Sequence, residues 1–169
     1  MLGGSTIEDI TLRAVRDDDW SVILDLAHRS LAELPVVPNQ QEWLDNRKSF
    51  SPSDGVQQHF VATSDEHVVG YAGIEHRNTT ADGCYRLFVV VEPSARATLG
   101  SMLFARIRER LIRLGARHAW MMELEADAGF ISYLEQVGFV RSKTVNVNDK
   151  TRAVQLTMDA PFQSLSQRT

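Results

Sequence analysis

The chain of 169 residues contains a single cysteine, Cys84. An intrachain disulfide framework is therefore excluded, and a reducing compartment suits the composition. Basic residues are not in excess: 18 Lys and Arg stand against 22 Asp and Glu, for a net charge of −4. A generic nucleic-acid binder would carry the opposite balance. No apolar run approaches the ~18 residues that cross a bilayer. The opening MLGGSTIEDI has neither a charged n-region nor an apolar h-region, so no signal peptide is read there. Together these absences predict a soluble cytoplasmic protein with no nucleic-acid or membrane partner. His59, His67, His76 and Cys84 lack metal-ligand spacing, so no metal is expected, and the histidines read as surface residues. The Gly-x-Gly-x-x-Gly turn of dinucleotide-dependent oxidoreductases is missing after the first strand.

What the sequence does contain is a regular alternation of strand and helix patterns. DITLRAV alternates apolar and polar residues and predicts a strand. Residues 16–34 predict a helix on Ile23, Leu24, Ala27, Leu31 and Leu34, capped by Asp17 or Asp18. PVVP breaks it, and NQQEWLDNRKSF predicts a second, short helix that packs over Trp43. Residues 57–77 read as two strands joined at Ser64 to Glu66, and DGCYRLFVVV as a third. Residues 99–114 give an amphipathic helix with Leu99, Leu103, Ile107, Leu111 and Leu114 on one stripe. RHAWMMELE, DAGFISYLEQV, GFVRSKTVNV and TRAVQLTMD then predict strand, helix, strand and strand. The order β-α-α-β-β-β-α-β-α-β-β implies one α/β domain built on a mixed sheet flanked by helices, with its core over about 10–159 and frayed ends at 1–8 and 163–169.

One stretch carries a question about function. VEPSARATLGSMLF runs from strand to proline to short loop to helix, the layout of a loop that holds phosphates at a helix N-terminus. Such loops are rich in glycine, yet this one has only Gly100.

With FVATSDEHVVGYAGI, YRLFVVVEPSAR, LGSMLFARIRERLIRLGA and YLEQVGF in this order, the chain resembles the GNAT superfamily of acetyl-coenzyme A-dependent N-acetyltransferases. The resemblance spans about Ile10 to Asp159 and implies acetyl transfer to an amine by direct attack in a ternary complex. Acetyl-CoA would be co-substrate and a small-molecule or peptide amine the acceptor. It implies that the strand end at Val89, Val90 and Val91 meets the pantetheine arm as an added strand would. It implies further that the backbone amides of Arg96, Ala97, Thr98, Leu99, Gly100 and Ser101 meet the pyrophosphate. The family phrase begins with Gln or Arg and ends on Gly-x-Gly or Gly-x-Ala. Aligned on Gly100, Ala95 falls at the basic position and Thr98 at the first glycine. Aligned from Pro93, Arg96 supplies the cation and the loop is one residue short. The second alignment is preferred. Thr98 brings a Cβ to a place where close approach, or a positive φ, favours glycine.

The chemistry needs a base for the acceptor amine and a proton for the leaving thiol. Strand parity sets Met121, Glu123 and Glu125 on one face, and Glu75 with Tyr71 and Gly73 on another strand's face. Glu123 and Glu75 are the candidate bases or amine anchors. The leaving-group tyrosine of the family falls at Leu134, with Tyr133 one residue earlier, so Tyr133 is the candidate acid or else a wall aromatic. The family asparagine near that helix start is Asp127 here, an anion beside the expected pyrophosphate or an N-cap. Cys84 reads as a small buried apolar residue, and Arg106, Arg110, Arg113 and Arg117 as a solvated helix face. The acceptor would be chosen by residues 28–56 and 76–83, and the closing strands would pair in a homodimer. Thr98, the short loop and Leu134 keep an alternative open, a non-catalytic module that retains the fold without cofactor or chemistry.

Overall fold

The computed structural model describes residues 10–30, 40–92 and 95–162. The elements follow the expected order: β1 (Ile10–Ala14), α1 (Asp19–Ser30), α2 (Gln40–Lys48), β2 (Gly55–Ser64), β3 (His67–Arg77), β4 (Cys84–Val91), α3 (Arg96–Arg113), β5 (His118–Leu124), α4 (Ala128–Gln136), β6 (Val140–Asn148) and β7 (Thr151–Asp159). The seven strands form one sheet in the order β1-β2-β3-β4-β5-β7-β6. Every neighbouring pair is antiparallel except β4 and β5, where α3 makes the crossover that a parallel pair requires. The β2–β3 hairpin closes through Asp65 and Glu66, both at positive φ (50° and 66°), the backbone of a two-residue hairpin turn.

Helices cover the sheet on both faces, and strand parity divides the core between them. Ala72, Ile74, Leu87, Val89 and Met121 face α3 and α4, where Leu99, Leu103, Ile107, Phe130 and Leu134 join them. Val61 and Tyr71 face the other way, onto Trp20 and Ile23 of α1 and Leu44 of α2. Each fully buried leucine contributes about 1.5–3 kcal/mol through apolar area removed from water. The last strand in the sheet, β6, is exposed along its whole length, with Val140, Val145 and Val147 open to solvent. Among the described residues no helix is long and apolar enough to cross a membrane.

Several local expectations are corrected. Of the acidic triplet, Asp19 does the structural work: it accepts from the Arg16 amide (2.7 Å) and from both terminal nitrogens of Arg13 (2.6 and 2.9 Å). Asp17 and Asp18 are exposed, and Leu31 and Leu34 lie outside the described residues. The helix expected from residue 99 starts at Arg96, because Ala95, Arg96 and Ala97 are good helix formers with no later proline to stop them. It ends at Arg113, so Arg117 is not on it; its amide instead donates to the Gly83 carbonyl.

His59 is no surface residue either. Its Nε2 pairs with Gln57 Oε1 (2.8 Å) and its Nδ1 with the Tyr71 hydroxyl (2.7 Å), while Trp20 packs edge-on at 5.1 Å. The Gln57 acceptor places the ring proton on Nε2, so Tyr71 donates to Nδ1. Burial, and then the charge of Arg47, lower the His59 pKa to about 4, which keeps the ring neutral. Gly73 makes room for this cluster: a Cβ there would sit 2.5 Å from the Tyr71 hydroxyl and 2.9 Å from His59 Nδ1. Gly73→Ala is expected to cost about 1–3 kcal/mol through overpacking, read as a lower denaturation midpoint; an unchanged midpoint would show that the cluster yields freely.

Candidate active site

The parallel ladder between β4 and β5 has three rungs, Cys84↔His118, Tyr85↔Ala119 and Arg86↔Trp120. Beyond Arg86 the strands diverge, and β5 continues on β7 for a seven-residue register from His118 to Leu124. Val89, Val90 and Val91 thus run beside a gap in the sheet. Val89 and Val91 are buried toward α3 and α4, and Val90 leans toward α1. A gap of this kind leaves room for an extended chain between strands.

Above the gap begins α3. Ala95 is its N-cap, with its amide already given to the Glu92 carbonyl (2.8 Å), and no side chain caps the helix. Among the described residues, the amides of Arg96, Ala97 and Thr98 have no helical acceptor one turn back. No acid occupies the first turn, so the positive end of the dipole faces outward. The amides of Leu99, Gly100 and Ser101 are turned along the helix to carbonyls one turn back. Thr98 is exposed at an ordinary helical φ, so its Cβ meets no backbone constraint. Gly100 has a packing reason as well. A Cβ there would lie 3.1 to 3.3 Å from the ring and hydroxyl of Tyr133, so this glycine lets α4 approach α3.

Tyr133 fills that contact, stacked on Phe130 and beside Phe104, with its hydroxyl 3.1 Å from Ser101 Oγ. Burial raises its pKa, and the Ser101 hydrogen bond and Arg108 oppose the shift. Leu134, at the family's tyrosine position, is fully buried. Asp127 is the N-cap of α4, accepting from the Phe130 amide at 3.4 Å. It also takes Arg96 Nη1 at 2.9 and 2.8 Å, while the Arg96 guanidinium lies over the Phe130 ring at 4.6 Å. The expected pyrophosphate cation is thus already paired with a carboxylate.

The two candidate carboxylates lie on opposite faces of the sheet. Glu123 shares the face of Met121, toward α3 and α4. Burial pushes its pKa up to about 8, with the Asp127 charge adding to the shift and Arg96 opposing it. Glu125 lies beyond β5 and meets Arg152 at 3.6 Å. Glu75, 5% exposed, faces α2 and pairs with Arg47, itself 6% exposed, at 2.8 Å. Burial lowers the Arg47 pKa and the Glu75 charge restrains the fall. The Oε1 of Glu75 is buried with no hydrogen-bond partner among the described residues.

Glu75 lines a cavity of about 490 Å³ together with Glu42, Asn46, Arg47, Arg77, Thr80, Cys84, Arg86 and Trp120. Its floor is the last β4–β5 rung. Its walls come from residues 42–47 and 75–80, segments that overlap those expected to choose an acceptor. Cys84 is half-buried on this wall rather than packed in the core. Burial raises its thiol pKa, and the neighbouring His76 bonds the Cys84 carbonyl at 2.9 Å, so no thiolate is generated. The arginines of this cavity went unread in the sequence. The signal was present at Arg86, a charge inside the otherwise apolar CYRLFVVV on the parity of Cys84 and Phe88.

The fold and the sequence match known proteins. The family model for the acetyltransferase (GNAT) family matches residues 20–139, and the chain belongs to that family. A GNAT-family protein from Desulfovibrio desulfuricans superposes with a TM-score of 0.72 at 19% identity, over 89% of this chain and 98% of that one. The structure of yncA from Salmonella typhimurium, solved with its cofactor acetyl-CoA, gives 0.68 at 16% identity over 89% and 94%. A spermidine N-acetyltransferase chimera from Vibrio cholerae and hSSAT gives 0.69 at 14% identity over 89% and 95%. No curated protein resembles the chain in sequence at a significant level.

A carboxyl that stays protonated in the fold weakens stability as it is forced to ionise. The Glu123 pKa lies above its unfolded value of 4.5, so native stability falls as pH rises from about 4.5 to about 8. Glu123→Gln is therefore expected to gain stability over the parent across that window, by a few kcal/mol above pH 8, and to match it near pH 4. Denaturant midpoints that differ by the same amount at both ends would refute a raised Glu123 pKa.

Proposed function

We propose that the protein is an N-acetyltransferase that passes an acetyl group from acetyl-CoA to an amine. The observation that carries this reading is the β4–β5 gap. Three rungs and then divergence, directly under an uncapped helix start, provide a channel for an extended arm and amides for its phosphates. Acetyl-CoA supplies the activated acetyl thioester. The acceptor nitrogen forms the new N–C bond as the C–S bond breaks, and the proton that nitrogen loses ends on sulfur.

In this reading the chain's own residues orient and exchange protons. The remainder of β4, Val89 to Val91, lines the arm, and the Arg96, Ala97 and Thr98 amides hold the diphosphate. Glu75 Oε1, beside the last rung, accepts an N–H from the acceptor and serves as its anchor or base. Glu123 and Tyr133 stand on the other face, near α3 and α4, where a protonated carboxyl and a phenol are both donors available to the departing thiol.

A second reading, a GNAT-fold module without cofactor, is favoured by the Arg96–Asp127 pair, which already neutralises the loop's cation. Calorimetric titration with acetyl-CoA separates the two. The transferase reading expects micromolar binding, weakened in Arg96→Ala and strengthened severalfold in Asp127→Asn, which removes the anion and releases Arg96. Absence of binding at millimolar acetyl-CoA would leave the module reading in possession.

A further inference from the structure

Resting on the transferase reading, we infer that the acceptor is an amine that also carries a carboxylate, a free amino acid, held in the cavity with its amine on Glu75 and its carboxylate on Arg86 and Arg77.

The charge arrangement of the cavity carries this. Its ionisable lining holds Arg47, Arg77 and Arg86 against Glu42 and Glu75. Arg47 is committed to Glu75 at 2.8 Å. Among the described residues neither Arg77 nor Arg86 is in an ion pair. Both are instead laid on aromatic rings. Arg77 lies over Phe50 at 4.9 Å, and Arg86 over Phe88 and Trp120, each at 4.8 Å. Stacking fixes the plane of a guanidinium while its N–H edge stays available, the geometry that takes a carboxylate through two parallel bonds. Arg86 is held there against partial burial and the like charges of Arg47 and Arg77, which lower its pKa. An arriving anion relieves that repulsion.

The opposite pole of the ligand is set by Glu75. Its side chain is nine-tenths or more buried and lines the cavity, and its Oε1 has no partner among the described residues. A buried carboxylate oxygen in that condition calls for a donor, and a cationic or neutral amine supplies one. Cation-binding and anion-binding groups on one wall thus match a zwitterion. They do not match a polyamine, which would set its further positive charges against Arg77 and Arg86. The last β4–β5 rung, Arg86↔Trp120, lies in the same wall, which places the amine where the gap begins.

The test pairs the common amino acids with their methyl esters, and adds spermidine. Thiol release at saturating acetyl-CoA is measured, together with the thermal shift that each compound gives the free protein. At least one amino acid is expected to exceed its ester tenfold or more in kcat/KM. Arg86→Ala should bring that ratio close to one while acetyl-CoA affinity is retained. Esters or spermidine equal to or better than every amino acid would overturn the inference and leave acetyl transfer standing. So would a preference that survives Arg86→Ala. Should acetyl-CoA itself fail to bind, the transferase reading falls, and the thermal shifts still judge the cavity. Stabilisation by amino acids over esters that is lost in Arg86→Ala upholds the zwitterion site, and equal shifts refute it.

Discussion

The short parallel contact between β4 and β5 is the constraint on which the remaining architecture turns. Strand β5 has two possible neighbours, and it satisfies its backbone groups on β7 for its full length while it keeps β4 for three rungs only. A parallel pair in the middle of an antiparallel sheet needs a crossover, so α3 is placed over the gap with its first turn beside the end of β4. The open helix start beside the strand end is thus a by-product of topology. It depends on where α3 begins and leaves the identity of the loop's residues comparatively free. That is why a loop with a single glycine still presents three amides and a bare dipole end.

The fold was legible in the sequence almost completely, and for a physical reason. Most elements are amphipathic with their own period, and Ser64 to Glu66 is a polar break between two apolar strand runs. Misplaced features were those decided by tertiary contact. The start of α3 moved because propensity carried the helix back to Arg96. Gly100, read in the sequence as room for phosphate, also makes room for Tyr133, a contact that only the packing of α4 on α3 reveals. Asp19 outranked Asp17 and Asp18 because only Asp19 meets Arg13 across the entry to α1.

The site was legible in part. Parity found Glu75 and Glu123, yet parity within single strands cannot say which face of the sheet two strands share, and the two acids are separated by it. Arg47 could not be connected to Glu75 from sequence, since they meet only when α2 folds across β3. Likewise the stacking of Arg86 on Phe88 and Trp120 joins residues from β4 and β5, and becomes visible only once those strands are paired.

The sheet in this protein works as a partition. Groups facing α3 and α4, namely Arg96, Asp127, Glu123 and Tyr133, sit on one side of it, and Arg47, Glu75, Arg77 and Arg86 sit on the other. The end of the β4–β5 ladder at the Arg86↔Trp120 rung lies between them. Substitutions in α2 or at the end of β3 can therefore rewrite one side while the other keeps its packing.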